Sequence, residues 1–245
     1  MKLLQIELLK NFKNRRFWIM FGLFFLFMMI FYGETNLIVR GYTADSLYSF
    51  PKIWSILGYT TRIFSYILGI IAISMITNEI SYRTLRQNVI DGMSREKFLL
   101  SKLMFMGVVS VLTMVVLLVY GLIYGFNHTP DATMETAMKN MYYVPLTGLF
   151  VFGFMVLSFL VGLLTKRTGI AVVALVLYLS IVEPLLRLEF EVPYFLLPGW
   201  SIGSLLPVPT RLFSYDVTMD LVLVNLMVIS ALIGACYLVL KKRDL

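Results

Sequence analysis

The chain has few of the residues that build metal sites, disulfides and soluble surfaces. Its 245 residues include one cysteine, Cys236, and one histidine, His128, and only 14% are charged. A single cysteine cannot form an intrachain disulfide, and a zinc site would have to be built mostly from carboxylates. No paired acids occur at helical spacing inside an apolar run, so metal chemistry is disfavoured. We interpret Cys236 as a small packing residue.

The low charge accompanies an apolar composition, with 59% hydrophobic residues and a mean hydropathy of +0.84. A soluble domain of this length could not cover so much apolar surface. Long apolar runs without strand-like alternation predict membrane-spanning α-helices, about 20 residues each. We therefore expect an all-α integral membrane protein, one domain over residues 1–245, with six transmembrane helices at 17–36, 53–77, 98–126, 143–165, 169–186 and 217–240.

Lysine and arginine are distributed unevenly between the segments that alternate along this pattern. Fifteen of the 21 basic residues flank one side of the predicted membrane, whereas nine of the 14 acids lie in the opposite loops. Loops rich in basic residues stay in the cytoplasm, so both termini are predicted to be cytoplasmic. The same distribution accounts for the net charge of +7 without a nucleic-acid-binding face.

The segment before the first span has the pattern of an amphipathic helix. Leu4, Leu8 and Phe12 fall on one helical face, while Lys10 and Lys13 point elsewhere. We expect an elbow helix over residues 1–15 that lies in the membrane interface. The alternative is a basic tail without fixed structure.

Gly199–Gly203 matches the G-x-S-x-G pattern of hydrolases. The match lies in a predicted outer loop, without a preceding strand or a nearby histidine, so we interpret it as chance. Three small-residue pairs, Gly121/Gly125, Ser158/Gly162 and Ser230/Gly234, instead favour close helix packing.

The connection between the second and third spans, residues 78–97, is too long for a simple turn and too patterned for a disordered loop. Glu79 ends the second span, Asp91-Gly92 predicts a turn, and Ser94 can cap a new helix. This string resembles the ABC-2 type permeases, the membrane subunits of ATP-binding-cassette exporters. In that family a glutamate ends the second helix, followed by a "gT-L" element, a Gly or Pro turn, Ser-Arg and a Lys. The corresponding residues here are Glu79, Arg83-Thr84-Leu85-Arg86, Gly92, Ser94-Arg95 and Lys102.

The resemblance implies a coupling helix that docks on a separate ABC ATPase, present in two copies, which binds ATP and Mg²⁺. The chain itself has no phosphate-binding G-x-x-x-x-G-K-[ST] loop, so it is not expected to be an enzyme or to hold a cofactor. The implied coupling residues are Glu79, Arg83, Thr84, Leu85, Arg86, Val89, Ser94 and Arg95. By analogy, Leu85 and Val89 would be apolar anchors on the ATPase, and Glu79, Arg83 and Arg86 would form the polar rim. A second permease copy, identical or related, would complete the complex in a bacterial cytoplasmic membrane. The resemblance also implies an outer re-entrant segment at 189–208.

Two ionisable residues are predicted at membrane depth, Arg62 in the second span and Glu183 near the outer end of the fifth. We hypothesise that they pair, within or between subunits, because a bare charge at this depth is unfavourable. Alternatively, Arg62 extends to the outer headgroups. Four aromatic residues could line a transport path or could simply pack: Tyr59, Phe64, Tyr66 and Tyr178.

The short outer loops suit export of an amphipathic substrate such as a lipid, a peptide or a drug. Two other classes stay open at this point, an ion-coupled carrier or channel and a membrane scaffold that transports nothing. An ion-coupled carrier usually has acids or broken helices near the membrane midplane, often in repeated halves. The two halves of the present sequence do not match each other.

The pairing of Arg62 with Glu183 is testable by charge exchange. Arg62→Ala and Glu183→Ala should each reduce the yield of assembled complex in size-exclusion chromatography, because each leaves a charge unpaired at membrane depth. The exchanged variant, Arg62→Glu with Glu183→Arg, should recover assembly. If the exchange recovers nothing, the residues do not pair.

Overall fold

The computed structural model describes residues 9–33, 48–84, 93–178 and 219–242, together with Gln87, Ile90 and Ile181. Within these residues the protein is all-helical and has no strand. Seven helices follow in chain order: α1 Arg15–Gly33, α2 Ile53–Ser81, α3 Arg95–His128, α4 Met134–Met138, α5 Tyr143–Thr165, α6 Thr168–Leu177 and α7 Met219–Lys242.

Four stretches of the described helices are long and apolar enough to cross a membrane: Phe64–Ser81, Arg95–His128, Met134–Thr165 and Asn225–Lys242. This confirms a helical, multi-pass membrane protein. The predicted third and fourth spans, 98–126 and 143–165, fall on α3 and α5. The predicted outer segment 189–208 lies outside the described residues.

Helix α5 occupies the centre of the bundle, where it packs against α2, α3, α6 and α7. Glycines permit its closest approaches. A β-carbon on Gly162 would lie 2.7 Å from Ile76 Cγ2 and 3.4 Å from the Ile73 backbone, both on α2. One on Gly69 of α2 would lie 2.7 Å from Phe154. Small residues on both helices therefore bring the α2 and α5 backbones together, as the small-residue pairs indicated without naming the partners.

Buried hydroxyls within the helices bond to the carbonyl one turn earlier, which satisfies polar groups that have no access to water. Thr77 donates to the Ile73 carbonyl at 2.9 Å and Ser158 to the Phe154 carbonyl at 2.8 Å. Between helices, Ser110 of α3 donates to the Gly148 carbonyl of α5 at 2.5 Å. Hydroxyl pairing thus supports helix packing.

The short helix α4, which the sequence did not predict, lies against the outer end of α2. The Thr133 and Thr136 side chains form a capping box at its start. Trp54, at the start of α2 and 1% exposed, donates its indole N–H to the Ala137 carbonyl at 2.8 Å. This bond fixes the link between α3 and α5 onto the second helix.

The close approach of α2 and α5 predicts the effect of adding one methyl group. Gly162→Ala should lower the unfolding temperature of the detergent-purified protein by several degrees relative to Gly107→Ala. Both substitutions gain about 1 kcal/mol in helix propensity, so the difference between them is the overpacking cost at Gly162, about 1–3 kcal/mol. Gly107 is the matched control because a β-carbon there meets nothing within 4 Å. Equal unfolding temperatures would show that the two backbones do not approach so closely.

Candidate functional site

The inner ends of three segments meet at one buried carboxylate. Glu79, in the last turn of α2, is 4% exposed. Its Oε1 accepts hydrogen bonds at 2.5 Å from Lys102 Nζ of α3 and at 2.5 Å from Lys10 Nζ of the N-terminal segment. The Lys102 side chain is 1% exposed, and its ammonium lies 5.0 Å from the Phe98 ring centroid. We call Lys10, Glu79 and Lys102 the inner charge cluster.

The two ion pairs differ in environment. Lys102 and Glu79 are both almost completely buried, whereas the Lys10 side chain is 52% exposed. A buried charge that loses its partner costs several kcal/mol, while an exposed pair contributes about 0–1 kcal/mol. Lys102 therefore dominates the pairing, and Lys10 ties the N-terminal segment to it.

The N-terminal segment turns sharply where α1 begins. Asn14 caps α1, because its Oδ1 accepts from the Arg16 backbone N–H at 3.0 Å. The Trp18 indole N–H donates to the Phe12 carbonyl at 2.7 Å, and the Phe12 ring packs against Phe105 of α3 at 6.1 Å between centroids. These contacts hold Lys10 beside Glu79.

The other end of the 78–97 segment is fixed to the last helix. Ser94 caps α3 by accepting from the Lys97 backbone N–H at 3.3 Å, which confirms the predicted cap. Arg95 Nη1 donates to the carbonyls of Leu240 at 3.1 Å and Lys241 at 2.5 Å. These carbonyls end α7 and carry the partial negative charge of its dipole, so Arg95 holds the C-terminal turn of that helix.

Between these two anchors most of the described residues are exposed, whereas Ile80 and Met93 pack against the core. Tyr82 is 73% exposed and Ile90 is 69% exposed, and both are large side chains on the predicted cytoplasmic side. Arg83 has a left-handed backbone, with φ of 56°, which ends α2. Leu85, Arg86 and Val89 were predicted as coupling residues and lie outside the described residues.

The structure brings the predicted site residues together only in part. Glu79 and Arg95 anchor the two ends of the segment, while Arg83 and Thr84 are exposed between them. The position of Glu79 corrects one expectation of the sequence: a side chain that is 4% exposed belongs to the interior and not to the polar rim of an interface. Pairing with two lysines explains why a carboxylate is tolerated there.

The structure describes the residues predicted at membrane depth and along the transport path only in part. The side chain of Arg62 and the whole of Glu183 lie outside the described residues, so their pairing stays a prediction. Phe64 stacks on Phe27 of α1 at 5.9 Å, and Tyr66 packs edge-on against Phe154 of α5 at 6.2 Å. Tyr178 packs against the core, and the Tyr59 side chain is not described. Phe64 and Tyr66 thus pack between helices of one chain, and their role in a transport path stays a prediction.

Sequence reasoning missed four residues of this region. Lys102 entered only as a motif position and Lys10 only as the polar face of a helix, because a sequence gives no distance between them and Glu79. Tyr82 and Ile90 carried a usable signal: like Leu85 and Val89, they are large apolar residues in a connection rich in charged and polar residues.

Comparison with known proteins adds the family. Residues 3–183, about three quarters of the chain, match the model of the ABC-2 family transporter proteins. The chain belongs to the ABC-2 transporter family. No curated protein and no solved structure matches it significantly.

Membership of the ABC-2 family confirms the resemblance and makes the chain a membrane component of an ABC transporter, a class that in general functions with an ABC ATPase. The matched region contains the whole inner charge cluster and the 78–97 segment. It ends at Glu183 and so does not include α7.

The burial difference within the inner charge cluster predicts unequal effects of two similar substitutions. Lys102→Met should destabilise the protein by about 3–5 kcal/mol, because it leaves Glu79 buried without its main partner. Lys10→Met should cost under about 1 kcal/mol. Thermal unfolding in detergent measures both.

The double variant Glu79→Gln with Lys102→Met serves as the control. It removes both charges and should regain most of the stability that Lys102→Met loses. Equal losses for Lys10→Met and Lys102→Met would contradict the assignment of Lys102 as the dominant partner.

Proposed function

We propose that the chain is the membrane-spanning permease subunit of an ABC exporter and that ATP hydrolysis in a separate subunit drives it. The observation that supports this proposal most strongly is the family match over residues 3–183, in a sequence that lacks a phosphate-binding G-x-x-x-x-G-K-[ST] loop. ATP and Mg²⁺ are bound by the partner ATPase. The permease forms the transport path, and the motion of the ATPase subunits is transmitted to it.

The 78–97 segment is the coupling element in this proposal. This role is supported by the way in which the segment is held at both ends. Glu79 fixes one end to α3 and the N-terminal segment, and Arg95 fixes the other end to α7. A segment held at both ends moves its helices when it is displaced, whereas a loose loop would absorb the displacement. Motion of two ATPase subunits is thereby converted into rigid-body motion of the spans.

The outward face of this segment supplies the docking contacts. Tyr82 and Ile90 join the predicted anchors Leu85 and Val89 as apolar contacts, and Arg83 and Arg86 form the polar rim. Exposed large apolar side chains on the cytoplasmic side are characteristic of protein interfaces. Glu79 acts from inside, as the anchor of the segment.

The complete permease has six spans with both termini in the bacterial cytoplasm. Helix α1 is about 28 Å long at 1.5 Å per residue, which suits the predicted first span, and α6 begins the predicted fifth span. Two permease copies, identical or related, and two ATPases complete the exporter. The residues at 189–208 close the outer side, and the substrate is amphipathic.

Charge reversal on the coupling segment tests the function. Arg83→Glu with Arg86→Glu should abolish co-purification of the permease with the ATPase encoded beside it and reduce ATP-dependent transport in liposomes at least tenfold. Loss of charge-assisted contacts at a partner's surface gives this result.

The matched control, Lys166→Glu with Arg167→Glu, makes the same charge change on two exposed residues between α5 and α6, on the same predicted membrane side, and should leave the complex intact. If both double variants retain complex and transport, the segment is not the coupling element. Flux without any ATPase would instead identify a carrier.

A further inference from the structure

A cavity of about 440 Å³ opens between the N-terminal segment, α1 and the inner end of α2. This volume is within the range of ligand-binding pockets, about 300–1,000 Å³. Lys10, Arg16 and Glu79 line one part, and Met20 and Ile71 line another. Two exposed residues of the coupling segment, Tyr82 and Thr84, also line the cavity, so it adjoins the proposed docking surface.

The polarity of the cavity changes along the membrane normal. On α2 its lining passes from Asn78, at the inner surface, to Met75 and Ile71, about 10 Å deeper at 1.5 Å per residue. On α1 it passes in the same direction from Arg16 to Met20. Both helices therefore present polar groups at headgroup level and apolar groups below it, the order found in a phospholipid.

The charge of the cavity favours an anion. Among the lining residues, Lys10 and Arg16 outnumber Glu79, the acid of the inner charge cluster, and no described residue forms an ion pair with the Arg16 guanidinium. Basic pockets at the cytoplasmic ends of membrane helices bind the phosphates of anionic lipids. Arginine is well suited to this, since its guanidinium can donate two parallel hydrogen bonds to a phosphate.

One acceptor in the cavity is unused. Glu79 lines the cavity and is 4% exposed, and its Oε2 atom is buried with no hydrogen-bond partner among the residues that the structure describes. Buried carboxylate oxygens normally accept at least one hydrogen bond. A ligand that carries a hydroxyl donor beside its phosphate would satisfy this oxygen once a rotation of the Glu79 carboxylate turns it towards the cavity.

We infer that the cavity binds an anionic phospholipid of the cytoplasmic leaflet through a phosphoglycerol headgroup. The phosphate contacts Arg16 and Lys10, a glycerol hydroxyl donates to Glu79 Oε2, and the first acyl methylenes lie against Met20 and Ile71. The binding site adjoins the proposed docking surface at Tyr82 and Thr84, but lipid binding does not rest on the proposed function and its test requires no ATPase.

The test measures lipid affinity for the full-length permease in mild detergent, from the concentration dependence of the lipid-induced rise in unfolding temperature. Native mass spectrometry counts the bound lipids. The lipid probes are phosphatidylglycerol, zwitterionic phosphatidylcholine and phosphatidylethanol, which has the same charge as phosphatidylglycerol but no headgroup hydroxyl. Free glycerol 3-phosphate is the probe without acyl chains.

The decisive variants are Arg16→Gln and its neighbour Arg15→Gln, which is equally exposed but does not line the cavity. Phosphatidylglycerol should bind at least tenfold more weakly to Arg16→Gln and less than threefold more weakly to Arg15→Gln. Phosphatidylcholine should bind the unchanged protein at least tenfold more weakly than phosphatidylglycerol, and phosphatidylethanol at least threefold more weakly.

Three results would overturn the lipid site, and a fourth would overturn the hydroxyl contact. Equal effects of the two arginine substitutions would place the lipid elsewhere, and equal binding of phosphatidylcholine would remove the role of charge. Binding of glycerol 3-phosphate as tight as that of phosphatidylglycerol would exclude a lipid in favour of a soluble phosphate. Equal affinity for phosphatidylethanol would exclude the hydroxyl contact with Glu79.

Discussion

The buried pair of Glu79 and Lys102 is the constraint on which the inner half of the protein depends. A carboxylate that is 4% exposed and an ammonium that is 1% exposed are stable at this position only together. Their 2.5 Å contact fixes the end of α2 against the first turns of α3. It also sets the point at which the chain leaves the bundle after α2 and the place where Lys10 can bind.

Helix α5 converts this local constraint into a property of the whole bundle. It packs against four other helices. Gly162 brings it close to the α2 backbone at Ile73, and Gly69 of α2 leaves room for the Phe154 ring. Close-packed helices resist relative sliding, because each displacement must be accommodated by rigid neighbours. A force applied near Glu79 is therefore carried by several helices at once.

Hydropathy located the helices well because a helix that crosses lipid needs about 20 apolar residues and must satisfy its own backbone hydrogen bonds. Each such segment can therefore be recognised from its own sequence. The start of α3 after Ser94 could also be predicted, since a capping serine accepts a hydrogen bond from the backbone three residues away. The role of Glu79 could not be predicted in this way. Its partners lie 69 and 23 positions away in sequence, and no local pattern gives that distance.

By itself, therefore, the sequence determined that this protein resides in a membrane, that it is helical, which ends carry the positive charge and to which family it belongs. These properties follow from local composition and from an ordered string of residues between Glu79 and Lys102. Tertiary structure alone decided that Glu79 is an internal anchor, that Arg95 holds the end of α7, and that the N-terminal segment and α2 enclose an amphipathic cavity. Ion pairs and cavities form between residues that are distant in the chain, and only the packing of the helices brings them within contact distance.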